Sequence, residues 1–107
     1  MKLIEKHIKE IKHICEQHHV DKMYVFGSVL TNSFSVQSDI DFLVKFGKVN
    51  PFDYFDNYMS LKESMMKLFD RNIDLVEVQT LKNPILKRAI DRNKVLIYGR
   101  ENIEVAV

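Results

Sequence analysis

Tyr24-Val25-Phe26-Gly27-Ser28 and Ser38-Asp39-Ile40-Asp41-Phe42-Leu43-Val44 are the segments whose reading decides the fold, with ten residues separating Ser28 from Asp39. Met23 to Phe26 is a short β-branched and aromatic run that stops at Gly-Ser, the pattern of a buried strand entering a turn. Gly27 is one of only three glycines in 107 residues, so its place at the end of that run carries information. A glycine there lets backbone approach another group closely, because no Cβ intervenes. Ser28 then opens a short helical turn, whose free N–H groups and hydroxyl suit phosphate oxygens.

Asp39 and Asp41 lie two apart on the next expected strand, residues 39–46, so both side chains leave one face, roughly 6.5 Å apart. At that separation, two bare carboxylates repel by about 2.5 kcal/mol for an effective dielectric of ~20. Asp is also disfavoured in strands. A divalent cation resolves the conflict, and hard oxygen donors suit Mg²⁺. A third carboxylate has a matching setting in Asn72-Ile73-Asp74-Leu75-Val76-Glu77-Val78. Alternation puts Ile73, Leu75 and Glu77 on one face and Asp74, Val76 and Val78 on the other. Pairing of this strand beside residues 39–46 would bring Asp74 to the first two. Three convergent carboxylates serve two metal ions and a hydroxyl nucleophile, the layout of two-metal phosphoryl transfer on a nucleoside triphosphate.

Working outward, Leu3/Ile4, Ile8, Ile11 and Ile14/Cys15 recur at helical spacing and predict an amphipathic helix over residues 2–19. Strand, turn and short helix follow at 23–33, then the 39–46 strand and a loop from Gly47 to Asn50. A helix over about 53–70 is expected to share a stripe of Phe55, Met59, Met66 and Phe69. The 73–78 strand leads to a helix starting near Asn83, which can cap it while Pro84 fits its first turn. A final strand, 94–98, ends at Gly99. The expected architecture is α/β or α+β, one small mixed sheet of about four strands flanked by helices, as a single domain over residues 1–107 with its core at about 20–99. Glu101–Val107 is given no assignment.

Composition bounds the function. Net charge is +1 with 29% charged residues, and no Lys/Arg block marks a nucleic-acid patch. The single Cys15 excludes an intramolecular disulfide framework and fits a reducing cytoplasm. No apolar run approaches the ~20 residues that span a bilayer. The alternating start Met1-Lys2-Leu3-Ile4-Glu5-Lys6 is unlike a signal peptide, so a cytoplasmic protein is expected. His7, His13, His18 and His19 read as a solvated helix face; only Cys15 and His19 have i,i+4 ligand spacing. Tyr54, Phe55 and Tyr58 read as core before base-stacking, and the five Met residues as packing.

Gly27-Ser28, ten residues, then Asp39-x-Asp41 preceded by Ser38, with Asp74 on a later strand, resembles the minimal nucleotidyltransferases of the polymerase-β-type superfamily. The likeness runs over most of residues 20–99, since Asn83-Pro84-Ile85-Leu86 and Lys94-Val95-Leu96-Ile97-Tyr98 resemble the family's closing helix and strand. One departure is Thr31-Asn32, where family members often carry Arg-Gly; this removes a cation near the phosphates. The resemblance implies ATP as donor bound at Gly27 and Ser28. It implies two Mg²⁺ ions held by Asp39, Asp41 and Asp74, and transfer of AMP to a hydroxyl. In stand-alone members of this size it further implies an antitoxin that AMPylates a small helical HEPN-domain ribonuclease encoded beside it. Two alternatives stand next to this: an antitoxin that acts by contact without catalysis, and a nucleotidyltransferase with a small-molecule or RNA acceptor.

Overall fold

In the computed structural model, which describes residues 2–31, 34, 35 and 37–100, the chain forms one four-stranded sheet with helices on both faces. The elements in order are α1 (Lys2–Lys6), α2 (Ile8–Gln17), β1 (Val20–Phe26), a 3₁₀ turn (Gly27–Leu30), β2 (Ile40–Phe46) and α3 (Tyr54–Phe69). Then come β3 (Ile73–Glu77), a second 3₁₀ turn (Val78–Thr80), α4 (Pro84–Asn93) and β4 (Val95–Tyr98). The sheet order is β3-β2-β1-β4; β1 runs antiparallel to β2 and β4, and β2 parallel to β3 across the α3 crossover. This is the mixed α+β sheet expected from the sequence.

Alternation along each strand divides the sheet into two unlike faces. On one face Met23, Val25, Ile40, Phe42, Val44, Ile73 and Leu75 meet Ile4, Ile11 and Cys15 from the N-terminal helices and Leu61, Met65 and Phe69 from α3. Each such apolar side chain contributes roughly 1.5–3 kcal/mol on burial, so this face holds most of the core. On the other face Tyr24 and Leu43 pack against Ile90 of α4, with Phe26, Val76, Val78, Leu81 and Leu96 at the margin. One ten-residue helix cannot cover that whole face, and its ends stay open.

Local chemistry explains most boundaries. Asn83 caps α4, its side-chain oxygen accepting from the N–H groups of Ile85 and Leu86, with Pro84 in the first turn. α3 ends at Asp70 in the left-handed region, φ 50°. Three expectations need correction. The helix over 2–19 is two pieces broken at His7, whose ring nitrogen meets the Leu3 carbonyl at 3.0 Å and so competes with the backbone ladder. The first strand begins at Val20, three residues earlier than read, because buried Lys22 hides an apolar alternation. The buried stripe of α3 is Leu61, Met65 and Phe69; Phe55 is exposed, and Met59 and Met66 are only half-buried. Among the described residues no helix is long and apolar enough to cross a membrane. Asn32 and the tail 101–107 lie outside the described residues.

Candidate active site

Asp41 occupies β2 opposite Phe26 of β1 and directly beside Asp74 of β3. Since neighbours in register share a face, both carboxylates project to the side covered only by α4, at the end of the sheet that α4 leaves open. Asp39 immediately precedes β2 and lies two residues before Asp41, on the same side. Their electrostatics show the proximity. Burial, then the charge of Asp74, then that of Asp39 raise the Asp41 carboxyl above the ordinary carboxylate range. The structure therefore brings together the three acids singled out in the sequence. They do not close into a ready cage: among the described residues no set of three His, Cys, Asp or Glu side chains is gathered tightly enough to hold one metal ion.

Gly27 sits against this cluster. Its φ of +80° is open to glycine alone without strain, and a Cβ there would overlap the Asp41 carboxylate oxygen Oδ2. Both properties demand glycine: the backbone turns sharply out of β1, and it must pass within contact of the acid. Ser28 follows in the 3₁₀ turn, which Thr31 closes by donating from its N–H and from its hydroxyl to the Ser28 carbonyl, both at 2.9 Å. A cavity of about 740 Å³ opens on the other side of Gly27. Phe26, Leu30, Leu86, Ile90 and Val95 give it apolar walls, with Arg92 and Asn93 as polar handles. None of the three carboxylates lines it, so the acids and the cavity flank the Gly27 backbone.

Two residues that the sequence reading did not single out as site residues position the acids. Arg71, at the entry to β3, donates from Nη1 to the carbonyls of Ser35 (3.2 Å) and Ser38 (3.1 Å), and its guanidinium lies 4.8 Å from the Phe34 ring centroid. It thereby ties the segment leading into Asp39 to the strand that carries Asp74. The only available signal was a cation just before an acidic strand. Tyr58 of α3 donates its hydroxyl to the Leu75 carbonyl, fastening β3 one residue beyond Asp74. Burial first, and the charge of Asp74 second, raise the Tyr58 pKa. Helical spacing marked Tyr58 as core and could not show its polar tip.

Among the described residues the histidines join no cluster that could hold a metal ion. His18 is buried, with one ring nitrogen 2.6 Å from the Ile14 carbonyl and the other 2.9 Å from the Ser60 hydroxyl. Cys15 is in the core, where burial and then Glu16 push its thiol up to about 12, and His19 is exposed.

Hard oxygen donors beside a glycine turn, on a mixed sheet, define a class of phosphoryl-transfer domain. The sequence matches the family described as "Polymerase beta, Nucleotidyltransferase" over residues 9–103, and the chain belongs to that family, as a nucleotidyltransferase. It is 30% identical over 96 residues, 90% of each chain, to a Methanocaldococcus jannaschii protein named "putative protein adenylyltransferase". In structure it is similar to a "putative minimal nucleotidyltransferase", with a TM-score of 0.73, 23% identity, and coverage of 88% of this chain and 92% of that one. It is also similar to a chain from a complex of tri-AMPylated Shewanella oneidensis HEPN toxin with MNT antitoxin, with a TM-score of 0.63, 16% identity, and coverage of 90% and 72%.

Proposed function

We propose that this chain, as one domain over residues 1–107, moves AMP from ATP to a hydroxyl on a partner protein. In this reading it is a cytoplasmic antitoxin that AMPylates a HEPN ribonuclease. The observation that carries the chemistry is Asp41, held between Asp74 and Asp39 in an environment that resists its charge and is left room by Gly27. The protein acceptor is supported by the adenylyltransferase relative, which matches over nearly its whole length, and the HEPN partner by the toxin–antitoxin likeness.

The donor set fits a hard divalent cation, because three carboxylates crowd one face and the central one is raised in pKa by burial first and then by the charges of Asp74 and Asp39. Asp39 and Asp41 would hold Mg²⁺, with Asp74 completing a second ion's ligands; bound there, the metal neutralises phosphate charge and lowers the pKa of the acceptor hydroxyl. The remaining work falls to the chain. Gly27 and Ser28 offer backbone N–H groups and a hydroxyl to the triphosphate. The cavity beside Gly27 takes the base and ribose against Leu30, Leu86 and Val95. Asp74 orients the acceptor hydroxyl and accepts its proton. The acceptor oxygen bonds to the α-phosphorus as the bond to the α–β bridging oxygen breaks, and pyrophosphate leaves.

The test is a transfer assay with α-phosphate-labelled ATP, Mg²⁺ and the HEPN protein encoded beside the chain. Label should appear on that protein and vanish with Asp39→Asn/Asp41→Asn. Stable complex without label would replace the enzyme with an antitoxin acting by contact. Label on RNA or a small hydroxylated compound, with no protein partner present, would replace the acceptor.

A further inference from the structure

The face that carries the acids has an opposite end of opposite charge. Along β2 the same side presents Asp41, then Leu43, then Lys45, about 13 Å beyond Asp41 along the strand. Lys45 pairs across β1 with Lys22. Lys87 and Lys94 arrive from α4 and its C-cap, on the flank of the helix facing away from the cavity beside Gly27. The four lysines and Asp91 surround a pocket of about 320 Å³ floored by Tyr24, Leu43, Val78 and Leu81. Such a concentration is local, since the whole chain holds 16 basic and 15 acidic residues.

Among the described residues two of the four lysines, Lys45 and Lys94, have carboxylate partners, and the other two have none. Asp91 is already taken by Lys94, at 2.9 Å, and Lys94 also lies 4.3 Å from the Tyr24 ring centroid. Lys45 meets Asp21 outside the pocket at 3.8 Å. Lys22 is only 8% exposed as a whole residue, its stem lying in the fold, while its ammonium is not among the buried polar atoms and is free to meet a ligand in the pocket. Four ammonium groups gathered around one small pocket repel one another, and an anion bound among them would offset that repulsion.

We propose that this pocket is a second binding site, separate from the carboxylate cluster, for a small phosphoanion: inorganic pyrophosphate or phosphate, or the phosphate of a mononucleotide. Convergent ammonium groups, each with three rotatable donors, match the tetrahedral oxygens of phosphate. The volume admits a ligand of that size and excludes a helix or a nucleic-acid duplex. Lys22 would bind at the floor, and Lys45, Lys87 and Lys94 at the rim.

The test is calorimetric and NMR titration of the full chain in chelator, so that binding at the acids through metal is silent. The probes are pyrophosphate, phosphate, AMP and a short oligoribonucleotide. Pyrophosphate or AMP should bind saturably, with amide shifts around Lys22, Lys45 and Lys87. Affinity should fall about tenfold or more with Lys22→Met and with Lys87→Ala, and stay unchanged with Asp39→Asn/Asp41→Asn. Lys87 is on an exposed helix face, so its variant keeps the test valid if Lys22→Met fails to fold. The stronger of pyrophosphate and AMP identifies the source of the phosphate. Binding that survives both lysine changes, or is lost with the aspartates, would overturn the site. So would binding of the oligoribonucleotide alone.

Discussion

The two faces of the sheet use the same strands for opposite ends. The face under α1, α2 and α3 is apolar except for buried Glu77 at the end of β3, with Phe42, Val44, Ile40 and Met65 wholly buried. The face under α4 has one apolar patch, Tyr24, Leu43 and Ile90, with carboxylates at one end and lysines at the other. Alternation lets adjacent residues of β2 do both: Phe42 anchors the core while Asp41, its neighbour, strains against two other acids. Stability thus resides on one side, and the second side is left free to hold charge that folding alone would not select.

The largest effect should come from breaking the closed face. Phe42→Ala removes a side chain that lies 5.9 Å from the Phe69 ring centre, and should cost about 3–5 kcal/mol of unfolding free energy in a denaturant titration. A loss below about 1 kcal/mol would mean the core is not where the two-face account puts it. Gly27→Ala should come next, at about 1–3 kcal/mol, because it forces an alanine to φ +80° and its methyl into Asp41. It should also remove AMP transfer while melting stays cooperative, which separates a damaged site from a damaged fold. Tyr58→Phe deletes only the hydroxyl bonded to the Leu75 carbonyl, and should cost about 1 kcal/mol. If β3 is positioned through that bond, transfer should drop with it.

The same comparison explains what was legible in the sequence. Ile73, Leu75 and Glu77 against Asp74 and Val76 could be assigned to faces from period-two alternation alone, and the register Asp41–Asp74 needed only that β2 and β3 be neighbours. Gly27 could be marked for close approach because so few glycines were present. The parts that escaped lack a local signal. Lys22 looks like a surface residue yet lies buried, because its environment is made by β2, α4 and the turn after β3, all distant in sequence. Arg71 grips carbonyls more than thirty positions away. Helical spacing on α3 placed Phe69 correctly in the core but also pointed to Phe55, which stays exposed, and missed Leu61 and Met65.

The smallest effect has the opposite sign, and it separates the faces most cleanly. Asp41 has its carboxyl pKa raised in the fold by burial and by Asp74 and Asp39. A carboxyl whose folded pKa lies above its unfolded value stabilises the fold when protonated, and that contribution is lost as pH rises through the folded pKa. At neutral pH the ionised Asp41 therefore works against folding. Asp41→Asn should raise the melting temperature there while abolishing AMP transfer, a gain in stability together with a loss of function. The gain should shrink as pH is lowered through the raised pKa of Asp41, where the wild-type carboxyl takes up its own proton. Melting curves of the two proteins across that range decide the matter. A variant less stable than wild type at neutral pH would mean that Asp41 serves the fold, and that the open face is not where charge is held for chemistry.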